Sequence, residues 1–318
     1  MTDILTALEM IFVPLNLLGL VFGVGAGIAF GAMPGLSVNM GLALLFPLTF
    51  TFQGMGGILI LIGIYCGAIY GGSISAILLK TPGTPASVAT TLDGYPMATV
   101  LKQPGRALGL STLASTFGGI FSTICLIIMA PQLAKVSLQF SKPEYFALAI
   151  FGLSIITSVS SGSVIKGIMG GVIGLFLATV GIDAMSGEIR FTLDTTYLLG
   201  GVSFIPILIG LFAFAQMLTT VEEYYHKQTG LQQEVKLDRV LPSWSDFKRV
   251  FWTLVRSSFI GTFIGCVPGT GGDIASFVSY DQAKRWSSHK DKFGTGEPEG
   301  VCAPEAGNNA VSGGAFIP

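Results

Sequence analysis

Six long apolar runs dominate the sequence and contain a single charged side chain between them, Lys166. The runs cover residues 11–33, 57–79, 108–130, 145–159, 164–182 and 197–220. A helix needs about 20 apolar residues to cross the ~30 Å hydrocarbon core of a bilayer, and most of the runs reach that length. Only 11% of all residues are charged, against roughly 25% in soluble domains. The sequence therefore predicts an all-α, polytopic membrane protein.

Glycine is the second strong signal, because many of the 43 glycines lie inside the apolar runs. In the first run they recur every fourth residue at Gly19, Gly23, Gly27 and Gly31. Small residues at this spacing let a neighbouring membrane helix pack almost against the backbone. The pattern predicts a tightly packed helix pair.

A glycine and proline motif occurs twice. Gly27-x3-Gly31-x2-Pro34-Gly35 has the same spacing as Gly261-x3-Gly265-x2-Pro268-Gly269. In both places an apolar helix is predicted to break at the Pro-Gly pair. This predicts an internal duplication with broken or re-entrant helices.

The duplication divides the chain into three parts. Residues 1–221 are interpreted as the first membrane repeat with additional helices, and 222–249 as a polar linker. Residues 250–318 are interpreted as the start of a second repeat that is truncated, since no counterpart of Thr81-Pro82-Gly83-Thr84-Pro85 follows.

Charge placement predicts an orientation. If 40–52 crosses the membrane, most basic loop residues share one side, and the positive-inside rule makes that side cytoplasmic. They are Lys80, Lys102, Arg106, Lys166, Lys227, Lys236, Arg239, Lys248 and Arg249. The linker is then cytoplasmic, the N-terminus external, and the two repeats inverted relative to each other.

The helix breaks are the predicted binding site. Basic residues are scarce in the apolar spans, with Arg256 the main exception, so an anion would be held by free N–H groups and helix N-termini. The candidates are Pro34, Gly35, Ser37, Asn39, Thr81, Pro82, Gly83, Thr84, Gly269, Thr270 and Gly271. The alternatives are plain kinks for the Pro-Gly breaks and a surface turn for 81–85.

Polar groups beside the apolar segments are candidates for coupling to an ion such as Na⁺ or H⁺. They are Asp93, Asp273, Glu305, Asn308 and Asn309. For Asp93 a role in an Asp-Gly turn is the alternative, and helix capping is an alternative for the others.

No catalytic or metal-ligating constellation is evident. His226 and His289 lie in polar connections without ligand spacing to the four separate cysteines. An enzyme, a bound metal or cofactor, and a nucleic-acid partner are therefore not expected.

Several segments resemble one known family. They are GIAFGAMPGL (27–36), LFPLTF (45–50), YGGSISAILLKTPGTP (70–85), DGYP (93–96) and APEAGNN (303–309). Together they are similar to TctA, the large membrane subunit of the tripartite tricarboxylate transporters.

The resemblance implies a subunit of the bacterial inner membrane that imports citrate or a related carboxylate, driven by an ion gradient. It implies two partners, a small TctB-like membrane subunit and a periplasmic TctC-like solute-binding protein. A channel or exporter for small organic anions, and a non-transporting membrane scaffold, remain alternatives.

Overall fold

The computed structural model describes most of the chain and shows an α-helical protein. The described residues are 2–33, 36, 38–50, 52, 55–137, 141, 143, 144, 146, 147, 150, 163–183, 186–202, 206, 207, 210, 214, 218, 238–267 and 270–317. Within these ranges the β structure is a single two-stranded antiparallel hairpin. The all-α prediction is confirmed.

Ten α-helices are described in the part of the chain that the structure covers. They are α1 (Thr2–Ile11), α2 (Pro14–Ala32), α3 (Val38–Thr49), α4 (Met55–Leu79), α5 (Val88–Thr99), α6 (Pro104–Ser137), α7 (Val164–Ala178), α8 (Trp244–Gly265), α9 (Gly272–Trp286) and α10 (Pro298–Gly314). The hairpin pairs β1 (Gly181–Ile182) with β2 (Ile189–Arg190). Short 3₁₀ turns cover Pro85–Ser87, Thr196–Leu198 and Lys290–Lys292.

Three described helices are long and apolar enough to cross a membrane, namely Pro14–Ala32, Met55–Leu79 and Pro104–Leu133. Val38–Thr49 and Val164–Ala178 are apolar but shorter. Most of the predicted helix at 145–159 and about half of the one at 197–220 lie outside the described residues. The membrane prediction is confirmed.

Helix α3 is too short for the span that the orientation requires. Its 12 residues rise only about 18 Å at 1.5 Å each, against a core of about 30 Å. The orientation of the linker and the inversion of the repeats therefore stay predictions.

The glycine series packs α2 onto α4, as its spacing predicts. Gly19, Gly23, Gly27 and Gly31 are the buried residues of α2. A Cβ added at Gly23 would lie 3.0 Å from the Cα of Ile60, so only glycine permits this approach. Gly63 and Gly67 of α4 in turn lie directly against the backbone of α2.

The same arrangement recurs between α8 and α10. A Cβ at Gly261 would lie 2.9 Å from the Cβ of Ala310, and one at Gly265 would lie 2.7 Å from the carbonyl oxygen of Val311. The orders α2–α3–α4 and α8–α9–α10 thus share a glycine-bearing helix, a break, a short helix and a partner helix. This likeness supports the predicted duplication.

A shared core joins the two sets of helices. Its fully buried members include Ile77, Leu110, Leu254 and Val301, from α4, α6, α8 and α10. All 17 residues of α10 are buried. Helix α10 therefore lies at the centre of the described structure, with α4, α5, α6, α8 and α9 packed around it.

The end of the predicted linker is helical, and most of its described residues are exposed. Helix α8 begins at Trp244, with a capping box between Ser243 and Asp246. Asp246 pairs with Arg106 of α6 at 2.5 Å, and Val250 is fully buried. The aromatic and aliphatic side chains that lie between the charged residues pack this segment against α6.

Burial alone would raise the pKa of Asp246, but hydrogen bonds from Arg106 and Ser243 outweigh it and lower that pKa below its usual value of 3.8. This carboxylate, on the polar rim of the bundle, stays ionised near neutral pH.

Candidate functional site

The segment after α4 folds back into the bundle, so the surface-turn alternative for 81–85 is wrong. Gly83 donates its N–H to the carbonyl of Gly72 at 3.2 Å, and a Cβ at Gly83 would collide with the carbonyl oxygen of Gly31. Thr84 is only 4% exposed and caps the following 3₁₀ turn with Ser87. Thr81 is exposed and Pro82 half-buried.

This segment meets the break of the second set of helices. A Cβ at Gly272, the first residue of α9, would lie 3.3 Å from the Cβ of Ala86 and would collide with the side-chain oxygen of Asn308. The region around Thr84, Ala86, Gly271, Gly272 and Asn308 is called the convergence site below. Two predicted candidates distant in the sequence, the 81–85 segment and the second break, are brought together there.

Asn308 gives the convergence site an unused donor. The residue is 1% exposed, and its side-chain amide nitrogen has no hydrogen-bond partner among the described residues. Buried polar groups are nearly always paired, so an orphan donor marks a position where a ligand or water is expected. It lies beside the N-terminus of the 15-residue helix α9, whose free N–H groups also favour an anion.

Other predicted site residues lie elsewhere or are used in capping. Thr270 donates its hydroxyl to the carbonyl of Ile264 in the last turn of α8, and so caps that helix, and also to the carbonyl of Val267 at 2.7 Å. Asp273 is exposed in the first turn of α9. Asn39 is exposed and lines a separate apolar cavity of about 730 Å³ with Phe46 and Tyr65. Pro34, Gly35, Ser37 and Gly269 lie outside the described residues.

Arg256, the basic residue that the sequence places in an apolar span, stacks over the ring of Trp286 at 5.1 Å. Its Nε donates to the carbonyl of Trp252 at 3.1 Å. Arg256 is therefore engaged by aromatic and backbone groups.

Asp93 is not in a turn; it lies inside α5 and is fully buried. Its carboxylate accepts hydrogen bonds from the hydroxyl of Tyr280 at 2.8 Å and from three backbone N–H groups between α9 and α10. These are the amides of Gly294 at 2.9 Å, Gly296 at 2.8 Å and Glu297 at 2.8 Å. Gly94 packs closely against Ile77, since a Cβ there would lie 2.7 Å from that side chain. This packing and the hydrogen bonds of Asp93 hold the Asp93-Gly94 pair in the helix.

Glu305 is the second fully buried carboxylate, at the middle of α10. It accepts hydrogen bonds from Ser73 of α4 at 2.5 Å, from Thr90 of α5, and from Ser115 of α6 at 3.0 Å. Asn309 donates to Ser115 at 2.9 Å. Glu305, Ser73, Thr90 and Ser115 are called the hydroxyl cage below.

The hydroxyl cage borders a cavity of about 580 Å³. Ser115 and Asn309 line it, together with Tyr70 and Thr112, which share a hydrogen bond of 2.8 Å. Glu305 itself is enclosed, so the two lining side chains separate its carboxylate from the cavity.

Sequence reasoning missed the three hydroxyls of the cage as site residues. Ser115 lies in the middle of an apolar run, and a buried hydroxyl in such a run was the available signal. Ser73 and Thr90 are identified as site residues only by their contacts with Glu305, which lies 232 and 215 residues away in the sequence.

One group of side chains has the composition of a metal site. The ligand atoms of His289, Glu297 and Glu299 lie within 4.8 Å of one another. Glu297 already pairs with Arg249 at 2.6 Å, which satisfies one carboxylate without a metal. Residue spacing does not indicate this grouping, because its members belong to a loop and the start of α10.

Comparison with known proteins gives a family match and two similar relatives. The profile described as "Tripartite tricarboxylate transporter TctA family" matches residues 17–318. A protein of Agrobacterium vitis, "Uncharacterized 52.8 kDa protein in TAR-I ttuC' 3'region", is 38% identical over 325 aligned positions. The alignment covers 100% of this chain and 63% of that relative.

A second protein of Agrobacterium vitis, "Uncharacterized protein in TAR-II ttuC' 3'region", is 45% identical over 58 positions, covering 18% of this chain and 24% of that relative. No solved structure matches the chain. The chain thus spans less than two thirds of the length of the relative that aligns along all of it.

Proposed function

The chain belongs to the TctA family of tripartite tricarboxylate transporters, and from this premise we propose that it is the translocating subunit of a secondary transporter. The proposed activity is import of a tricarboxylate or related carboxylate across the bacterial inner membrane. Alternating access driven by an ion gradient is the proposed mechanism. The whole protein would cross the membrane several times.

The observation that carries the proposal is the unpaired amide of Asn308 at the convergence site. A carboxylate needs donors, and this buried –NH₂ offers them in a place with low competition from water. The N-terminus of α9 adds its free N–H groups and the positive end of the helix dipole. The hydroxyl of Thr84 lies at the same place, where it now contacts Gly72 and Ser87.

This site would bind an anion without a fixed cation. The basic side chain nearest in sequence to the motif, Lys80, lies over the ring of Tyr95 at 5.5 Å, and Arg256 is stacked on Trp286. Binding by neutral donors suits a carrier, because a carboxylate bound to a buried arginine would be slow to leave. Holding and releasing the substrate are both required.

The paired helix breaks supply a route to alternating access. Each set of helices places its glycine-bearing helix directly against the backbone of a partner, and such smooth contacts permit sliding or rocking. The convergence site lies where the two sets meet. Relative motion of the sets would therefore open the site to one side at a time.

The proposed partners follow from the family. A small membrane subunit would accompany this chain, and a periplasmic solute-binding protein would deliver the carboxylate. No other cofactor is proposed, and Na⁺ or H⁺ would be the coupling ion.

The experiment is uptake of labelled citrate by proteoliposomes that contain the full-length protein and its small membrane subunit, with the binding protein outside. The Na⁺ and pH gradients are imposed separately. Saturable uptake that requires a gradient and the binding protein is expected. Gradient-independent flux without saturation would identify a channel, and no flux with a panel of di- and tricarboxylates would favour a scaffold.

Site variants sharpen this experiment. Asn308→Ala and Thr84→Ala are expected to raise the citrate concentration for half-maximal uptake about tenfold, since a hydrogen bond to a charged group contributes about 1.5–3 kcal/mol. Asn16→Ala and Thr179→Ala are matched controls, because among the described residues these side chains bond only to carbonyls near their own helices. Equal uptake by all four variants would overturn the site assignment.

A further inference from the structure

We infer that Glu305 is the residue at which the coupling cation binds, with the hydroxyls of Ser73, Thr90 and Ser115 as its surrounding oxygens. The inference rests on the proposed function and gives a specific role to one carboxylate. The ligand is a small monovalent cation, a proton or Na⁺, which would neutralise Glu305 during each transport cycle.

The first support is the absence of a counter-charge. Glu305 is 0% exposed, and its side-chain partners within the described part of the chain are neutral hydroxyls, among them those of Ser73, Thr90 and Ser115. Burial of an ionised carboxylate without a cation costs several kcal/mol. Tyr70 on α4 and Cys302 on α10 interact electrostatically with Glu305, and neither of these side chains can carry a positive charge.

The second support is the chemistry of the cage. A hydroxyl donates one hydrogen and accepts through two lone pairs, and its hydrogen can rotate. The three hydroxyls can therefore donate to an ionised Glu305, accept from a protonated one, or turn their lone pairs to Na⁺. Oxygen ligands of this kind suit hard cations.

The third support is position. Glu305 receives hydrogen bonds from α4, α5 and α6, while it belongs to the central helix α10 of the other set. It thus joins the elements that alternating access would move against each other. A change in its charge would alter every contact across this boundary.

The cage and the convergence site also share neighbouring residues. Ser73 follows Gly72, which contacts Thr84, and Glu305 lies three residues before Asn308, close to one helical turn. A structural change at Glu305 on cation binding can therefore reach the substrate donors through the adjacent backbone. This is the structural requirement for coupling two ligands.

Access is provided by the cavity of about 580 Å³ that Ser115 and Asn309 line. Ser115 contacts both the cavity and the carboxylate, at 3.0 Å from Glu305. A rotation of this side chain would connect the cage to the cavity without unfolding α10.

The test compares two assays on the full-length protein reconstituted with its small membrane subunit. Gradient-driven uptake of labelled citrate requires the coupling cation to be bound and released, whereas exchange of labelled for unlabelled citrate across the membrane does not require its release. Glu305→Gln mimics the neutralised carboxyl. We expect this variant to lose gradient-driven uptake at least tenfold while it keeps exchange within about twofold of wild type.

Separate Na⁺ and pH gradients identify the cation, since only the gradient of the bound ion would drive wild-type uptake. Retention of gradient-driven uptake by Glu305→Gln would overturn the inference. Loss of both uptake and exchange in a correctly folded variant would overturn it as well, because Glu305 would then serve substrate binding or structure. Failure of exchange in the wild type would instead contradict the proposed function.

A hydroxyl variant keeps the test decisive if Glu305→Gln does not fold. Ser115→Ala removes one oxygen of the cage, and the Na⁺ or H⁺ concentration for half-maximal uptake should shift about tenfold, as expected for one hydrogen bond to a charged group. Ser122→Ala is the matched control, since within the described structure this buried serine of the same helix bonds only to Gly119 of that helix. An equal cation dependence in both variants would contradict the assignment.

Discussion

Asp93 and Glu305 are both completely buried carboxylates, yet their surroundings differ in one decisive way. Three of the four donors to Asp93 are backbone amides, which cannot turn away or become acceptors. All three donors to Glu305 are side-chain hydroxyls, which can do both. The comparison indicates that the donors around Asp93 are fixed, whereas those around Glu305 can adjust to a change in its charge.

The contrast separates two uses of a buried charge. Asp93 fastens the loop between α9 and α10 to α5, so its charge serves the fold. Glu305 lies among groups that tolerate either protonation state, so its charge is available for function. Both residues are candidates for ion coupling by sequence alone, and the nature of their donors distinguishes them.

The largest effect is expected from Asp93→Asn. The amide would direct N–H hydrogens toward backbone amides that need an acceptor, which leaves buried donors unsatisfied. The expected loss is about 3–5 kcal/mol of unfolding free energy, as when one partner of a buried charged network is removed. Thermal unfolding of the detergent-solubilised protein would measure this loss. A loss below about 1 kcal/mol would contradict the claim that Asp93 is held by fixed donors and Glu305 by adjustable ones.

A smaller loss is expected when the space beside Asp93 is filled. A methyl group at Gly300 would lie 2.6 Å from the Asp93 carboxyl carbon, so Gly300→Ala should cost about 1–3 kcal/mol by overpacking. Gly119→Ala is the matched control, because no atom lies within 4 Å of a Cβ there. The free energy of unfolding of Gly119→Ala should be unchanged or higher by up to about 1 kcal/mol, because alanine favours the helix more than glycine. Equal unfolding temperatures in the two variants would contradict the rigid setting of Asp93.

Glu305→Gln should change stability by about 1 kcal/mol or less. The amide can both donate to and accept from the rotatable hydroxyls, so few groups are left unpaired. Unfolding temperatures measured beside those of Asp93→Asn would rank the two sites. A loss as large as that of Asp93→Asn would show that the hydroxyl cage is as rigid as the amide loop.

The smallest effect concerns Asp246, on the polar rim. Its pKa is lowered, so the stability that it contributes is present above its unfolded pKa and is lost as the pH falls through the lowered folded value, below 3.8. Because Arg106 is 31% exposed, about 1 kcal/mol or less is expected. Unfolding of wild type and Asp246→Asn from pH 6 to pH 3 would reveal this, and identical pH dependence would refute it.

Sequence patterns predicted the fold better than the site. The spacing of Gly23 and Gly27 predicts a close helix contact because the requirement is local and periodic. The 81–85 segment was selected as functional, but its burial against Gly31 and Gly72 depends on how α2 and α4 pack. Local preference offers a turn at Asp93-Gly94 as the alternative to an ion-coupling role, and tertiary contacts with Ile77 and Tyr280 override that preference.

The hydroxyl cage could not be predicted for a similar reason. Its members lie on α4, α5, α6 and α10, and single serines and threonines are common in membrane helices. Only the fold brings them to one carboxylate. Glu305 itself was found because an acidic residue between apolar segments is unusual enough to be noticed alone.

The burial of α10 has a consequence for how the protein is made. This helix carries Glu299, Glu305, Asn308 and Asn309, and all 17 of its residues are covered by other helices. Release of such a polar segment into lipid would cost about 2.5–3.5 kcal/mol for each central charge. A place for α10 within the bilayer would therefore require α4, α5 and α6 to assemble first, because their hydroxyls supply the polar partners of Glu305.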